Sequence, residues 1–148
     1  MSGTETPAVT PDEVRAIEAD CSRVLLRLFL ALDERRYDDV AASFLENGMW
    51  HRRGQALSGP GEVRRAMAER PATARVRHVI TNLVVTPRGP DVADFILYLS
   101  AYTHDGPVDA APPVPATLWM LFVVTGTMAS SDGAWRIQEM TMQREFSF

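Results

Sequence analysis

Asp33 and His78 are the pair whose types and placing fit acid/base chemistry. Val14, Ile17, Cys21, Val24, Leu25, Leu28, Phe29 and Leu32 recur at helical spacing. At 100° per residue Asp33 lies beside Leu26, Phe29 and Leu30, inside that apolar arc. A carboxylate there loses water, and a helix C-terminus disfavours its charge. Both effects suit it to proton transfer. The bland alternative is a helix-end Asp bonded to nearby backbone or to an Arg. His78 sits in a run rich in Val, Ile and Thr and alternates with Ile80, Asn82 and Val84 on one face. An Asp beside it would orient the ring and stabilise the imidazolium. The bland alternative is a core histidine bonded to one carbonyl.

Asn82 is placed to bond a substrate oxygen, or to serve the sheet. Tyr98 and Tyr102 alternate with Ser100 on the next strand. If Ser100 pairs with His78, both tyrosines face the pocket and donate to a carbonyl or enolate; a one-residue slip turns them outward. Trp50, Met67, Trp119 and Met120 are candidate pocket liners or plain core. Strict alternation allows only one of Trp119 and Met120 to line it. Glu139, alternating with Trp135 and Ile137, is a lesser carboxylate candidate.

Other chemistries find little footing. His51, His78 and His104 are scattered without metal-ligand spacing, so no metal is expected. Gly59-Pro60-Gly61 lacks the Lys and the preceding long strand of a phosphate loop, and no G-x-S-x-G elbow exists. Cys21 is the single cysteine, and its apolar position reads as core. Net charge is -4, which argues against nucleic acid. No run reaches membrane-spanning length, and residues 1–10 read as a disordered lead-in, not a signal peptide. A cytoplasmic protein is expected.

With 148 residues the chain suits one domain, over residues 11–148. Thr10, Pro11 and Glu13 form a helix start with a capping box, and the helix should run to about Arg35. A second helix carries Tyr37, Val40, Ala41, Phe44 and Leu45 and is expected to end at Asn47-Gly48. Residues 49–52 read as a short strand. A third helix opens at Gly59-Pro60-Gly61 and stops before Pro71. Strands are expected over 74–86, 92–104, 116–129 and 135–146, with a Pro-rich loop at 105–115. Helices followed by long consecutive strands mean an α+β fold with a curved, mainly antiparallel sheet.

That element order resembles the nuclear-transport-factor-two-like superfamily, a cone-shaped barrel covered by three N-terminal helices. The phrases Ala31-Leu32-Asp33-Glu34-Arg35-Arg36-Tyr37-Asp38, Phe44-Leu45-Glu46-Asn47-Gly48, Arg77-His78-Val79-Ile80-Thr81-Asn82 and Trp135-Arg136-Ile137 are similar to its SnoaL-like branch. The superfamily includes scytalone dehydratase, steroid isomerases, polyketide cyclases and dioxygenase β subunits. The dehydratase-like members use an Asp late in the first helix and a His on the first long strand; Asp33 and His78 match those positions. A second dehydratase His has its nearest counterpart in His104. Leu32 precedes Asp33 where the dehydratase has a Tyr, so scytalone is not the expected substrate.

The resemblance implies a cofactor-independent lyase or isomerase, of dehydratase or cyclase type, acting on a small apolar carbonyl compound of polyketide or aromatic kind. The alternative is a non-catalytic assembly or ligand-binding module like a dioxygenase β subunit. Residues 116–129 are apolar on both strand faces, so a homodimer through the sheet is expected.

Overall fold

The computed structural model describes residues 8–148. The expected lead-in falls mostly on residues 1–7, outside the described residues. Helix α1 (Pro11–Asp33) begins with the capping box: the Glu13 amide donates to Thr10 Oγ1 and the Thr10 amide donates to Glu13 Oε2. It ends two residues before Arg35. Arg35 takes φ 59°, and the amides of Arg35 and Arg36 donate back to Leu32 O and Ala31 O. This left-handed cap stops the helix on Asp33.

Helix α2 (Tyr37–Ala42) is shorter than expected, and Phe44 belongs to strand β1 (Phe44–Arg52). A short apolar pair such as Phe44-Leu45 fits either element, and strand pairing decides it. The Ile137 amide donates to Ser43 O, and Phe44 pairs with Ile137. Gly48 is no helix stop. A Cβ there would meet Ile137 O at 2.7 Å, so glycine permits the close approach of two backbones. Arg53 and Gly54, with φ of 49° and 71°, turn the chain into β2 (Gln55–Ser58), a strand the sequence pattern did not disclose.

Helix α3 (Gly59–Ala68) follows, then β3 (Arg75–Pro87), β4 (Val92–His104), β5 (Thr117–Ser131) and β6 (Ala134–Ser147). All six strands form one mixed sheet in the order β2-β1-β6-β5-β4-β3. Only the β1–β6 pair is parallel, and β2 and β3 are open edges. Long twisted strands curve, and four of the pairings carry register shifts that bend the strands locally. α1 packs on β3 and β6, while α3 packs on β1 and β2. Between helices and sheet lies the core, with Leu25, Leu28, Phe29, Phe44, Trp50, Leu97, Leu99 and Met140 fully buried.

Candidate functional site

Capping at Arg35 leaves Asp33 on the last helical turn, facing β3. Its carboxylate takes both donors that His78 offers. The His78 amide donates to Oδ2 at 2.9 Å, and Nδ1 lies 2.5 Å from Oδ1. An ionised carboxylate only accepts, so Nδ1 carries the proton and Nε2 remains the free basic nitrogen. Both side chains are nearly withdrawn from water, 7% exposed for Asp33 and 9% for His78. The Phe29 ring, 5.9 Å away centre to centre, packs against the imidazole. This is the arrangement that orients a histidine as a general base.

His78 borders a cavity of about 720 Å³ between the sheet and the ends of α1 and α3. Apolar walls come from Leu32, Val76, Trp119, Met120 and Phe122. Trp50 also lines it, stacked on Phe44 at 5.5 Å. Trp119 and Met120 both line the cavity, against the alternation rule. The β4–β5 register runs Ala101↔Met120 and then Tyr102↔Leu118, which leaves Trp119 as an extra residue. That bulge turns two successive side chains to the same face.

Five expected contributors lie elsewhere. His78 pairs with Ala101, not Ser100, and the one-residue difference sends Tyr98 and Tyr102 to the outer face, 38% and 40% exposed. Asn82 leaves His78's face because β3 bulges there. Asn82 has φ 54°, and the register passes from Thr81↔Tyr98 to Val84↔Ile96, so inward parity changes from His78 and Ile80 to Leu83 and Val85. Glu139 is exposed on the outer face and pairs with His51, Nε2 to Oε1 3.2 Å. His104 is tied by Nδ1 to Pro115 O at 2.6 Å and does not reach the cavity. No residue of the 105–115 loop lines it either.

Sequence reasoning passed over four arginines that do line it: Arg52, Arg53, Arg70 and Arg144. Two of them had a readable signal. Arg52 stands two residues after Trp50 on one strand, and Arg144 two after Met142, so each shares an inward face. Burial, with the positive charges of Arg53 and Arg70 adding, pulls Arg52 down to about 10. Its guanidinium lies 4.8 Å from the Trp50 ring centre. Among the described residues no group of three His, Cys, Asp or Glu could hold a metal ion. No helix among them is long and apolar enough to cross a membrane.

The SnoaL-like domain profile matches residues 13–141. The chain belongs to the SnoaL-like domain family. Solved structures agree on the fold of this SnoaL-like domain. A provisionally named scytalone dehydratase from Novosphingobium aromaticivorans superposes with TM-score 0.79 at 13% identity, covering 94% of this chain and 91% of that one. A hexachlorocyclohexane dehydrochlorinase from Novosphingobium barchaimii gives 0.78 at 15% identity, covering 94% and 93%. A protein from Catenulispora acidiphila gives 0.74 at 20% identity, covering 88% and 93%. Identities this low speak for shared fold alone. No curated protein matches this chain in sequence.

Proposed function

We propose that this SnoaL-like domain is a cofactor-independent lyase or isomerase, of dehydratase or cyclase type. Its substrate is a small carbonyl compound with an apolar, polyketide-derived or aromatic body. The observation that carries this reading is the Asp33–His78 pair at the wall of the cavity. Nε2 of His78 takes a proton from carbon next to the carbonyl, and the Asp33 carboxylate stabilises the imidazolium. The same proton then goes to a departing hydroxyl in a lyase, or to another carbon in an isomerase. Apolar walls exclude water and lengthen the reach of each charge.

A non-catalytic module is less well supported, because it gives no reason to keep a bonded Asp–His pair beside a cavity of this size. A thermal-shift screen against aromatic and polyketide-like ketones, followed by turnover of each hit, tests the choice. His78→Ala and Asp33→Asn should each remove turnover and keep the fold; undiminished turnover in both would sink the mechanism.

We also propose that a second copy of the chain covers the outer sheet face. Val79, Val84, Ile96, Tyr98 and Tyr102 are exposed there, and exposed apolar patches of that kind favour association. Sedimentation should then give a dimer at micromolar concentration; a monomer would contradict it.

A further inference from the structure

The chain carries a net charge of -4, yet its cavity is lined by four arginines and by no Asp or Glu. None of Arg52, Arg53, Arg70 and Arg144 forms an ion pair with a carboxylate among the described residues. Of the eleven other arginines, Arg15, Arg23, Arg36, Arg64 and Arg88 pair with acids and six do not. What sets this cavity apart is that four arginines line it and none is paired with a carboxylate among the described residues.

Hydrogen bonding points to the same place. Trp50 is fully buried, and its indole N–H has no acceptor in the chain. The Arg52 Nε–H, two residues along the same strand, is also buried without one. Native proteins satisfy nearly all such donors, and each unsatisfied one costs about 1–3 kcal/mol. Both donors belong to residues that line the cavity. Arg70 is pinned there by its bond to Leu32 O at 2.9 Å, so it does not swing away into solvent. Arg53 extends over Trp119, 6.0 Å from the ring centre. The burial of Arg52 and the nearness of two like charges make its protonated form costly until an anion arrives.

We propose that the cavity binds an organic carboxylate, whose anionic end is held by Arg52, Arg70 and the Trp50 N–H. Its apolar body lies along Trp119, Met120 and Phe122, toward His78. A guanidinium presents two parallel N–H groups that match a planar carboxylate. The largely apolar walls favour a carboxylate on a hydrocarbon body over a bare inorganic anion. This inference rests on the proposed function and adds one feature to the substrate of the same cavity, a carboxylate on the apolar body that carries the reacting carbonyl. The binding itself needs no catalysis.

Calorimetry with 3-phenylpropanoate, 4-phenylbutanoate and 2-naphthoate, each beside its neutral amide, separates the two readings. Wild type and His78→Ala should both bind at least one acid about tenfold or more tighter than its amide, the gain expected of charge-assisted bonds. Arg52→Met and Arg70→Met should each remove most of that preference, weakening the acid far more than its amide. Trp50→Phe, which keeps a ring in the stack and deletes only the donor, should weaken acid binding severalfold. Urea denaturation of each variant confirms folding. Equal affinity for acids and amides overturns the proposal, as does a preference that survives both arginine changes. Inorganic phosphate binding more tightly than every acid overturns it too. A lost acid preference with His78-dependent turnover of neutral ketones would refute this inference and leave the proposed function standing; the opposite pair of results would do the reverse.

Discussion

Replacing Asp33 by asparagine keeps the shape of the side chain and removes one of the two acceptors that hold His78. The carboxylate accepts from the backbone amide at 2.9 Å and faces Nδ1 at 2.5 Å, with only 7% of the side chain exposed. An asparagine oxygen serves one of these donors, and its NH2 then points at the other. A buried hydrogen bond to a charged group contributes about 1.5–3 kcal/mol, and a facing donor pair adds part of a desolvation cost. The expected loss of stability is therefore about 3 kcal/mol, or roughly 6–12 °C in Tm for a chain of this size. Urea unfolding followed by tryptophan fluorescence reads it. The ring should also lose its fixed tautomer, visible in the ¹⁵N shifts of His78, and turnover should drop by about two to four orders of magnitude. A stability change under about 0.5 kcal/mol with an unaltered ring tautomer would refute the pairing.

Other perturbations separate the site from its surroundings. Tyr98→Phe and Tyr102→Phe lie on the outer face and should leave turnover within about twofold; a drop beyond tenfold would mean that the tyrosines reach the substrate. Burial pushes the Cys21 thiol up to about 12, with the Asp20 charge adding. The raised value favours the neutral thiol in the fold, so its contribution to stability is full below pH 9 and lost as pH climbs toward 12. Native protein at pH 8 should give no reaction with a thiol reagent, and unfolded protein one equivalent. Arg52 is shifted the other way, down to about 10, so at neutral pH its charge costs the free protein stability that returns only above that pH. Arg52→Met should keep stability at pH 7 or raise it by up to about 2 kcal/mol, with the lost contact to Trp50 offsetting part of the gain. A loss above about 2 kcal/mol would mean that the guanidinium is paired.

Much of this fold was legible in residue order. The capping box at Thr10 and Glu13 and the run of long strands lie where pattern and capping chemistry put them. Periodicity, 3.6 on the helix and 2 on the strand, gave Asp33 and His78 each a face, the resemblance paired them, and the fold brings them into contact. What escaped was parity. Alternation predicts a face only while the register holds, and a single bulge reverses it. The bulge at Asn82 turned that side chain outward, and the bulge at Trp119 turned two neighbours inward. The tyrosines were lost to a one-residue pairing difference, Ala101 in place of Ser100. Phe44-Leu45 misled for another reason: an apolar pair has no period, and only the partner strand β6 decides its element. The arginines were overlooked because charge reads as surface, although Arg52 shares the parity of Trp50.

Proton exchange at carbon tests the central claim most directly. Incubation of 2-tetralone, a ketone with acidic benzylic α-protons and small enough for the cavity, in deuterated buffer can be followed by proton NMR. Wild type should speed loss of the α-proton signal well above buffer, and His78→Ala should bring it back to the buffer rate. Exchange in His78→Ala as fast as in wild type, or no acceleration by wild type at all, would contradict His78 as the base of this cavity.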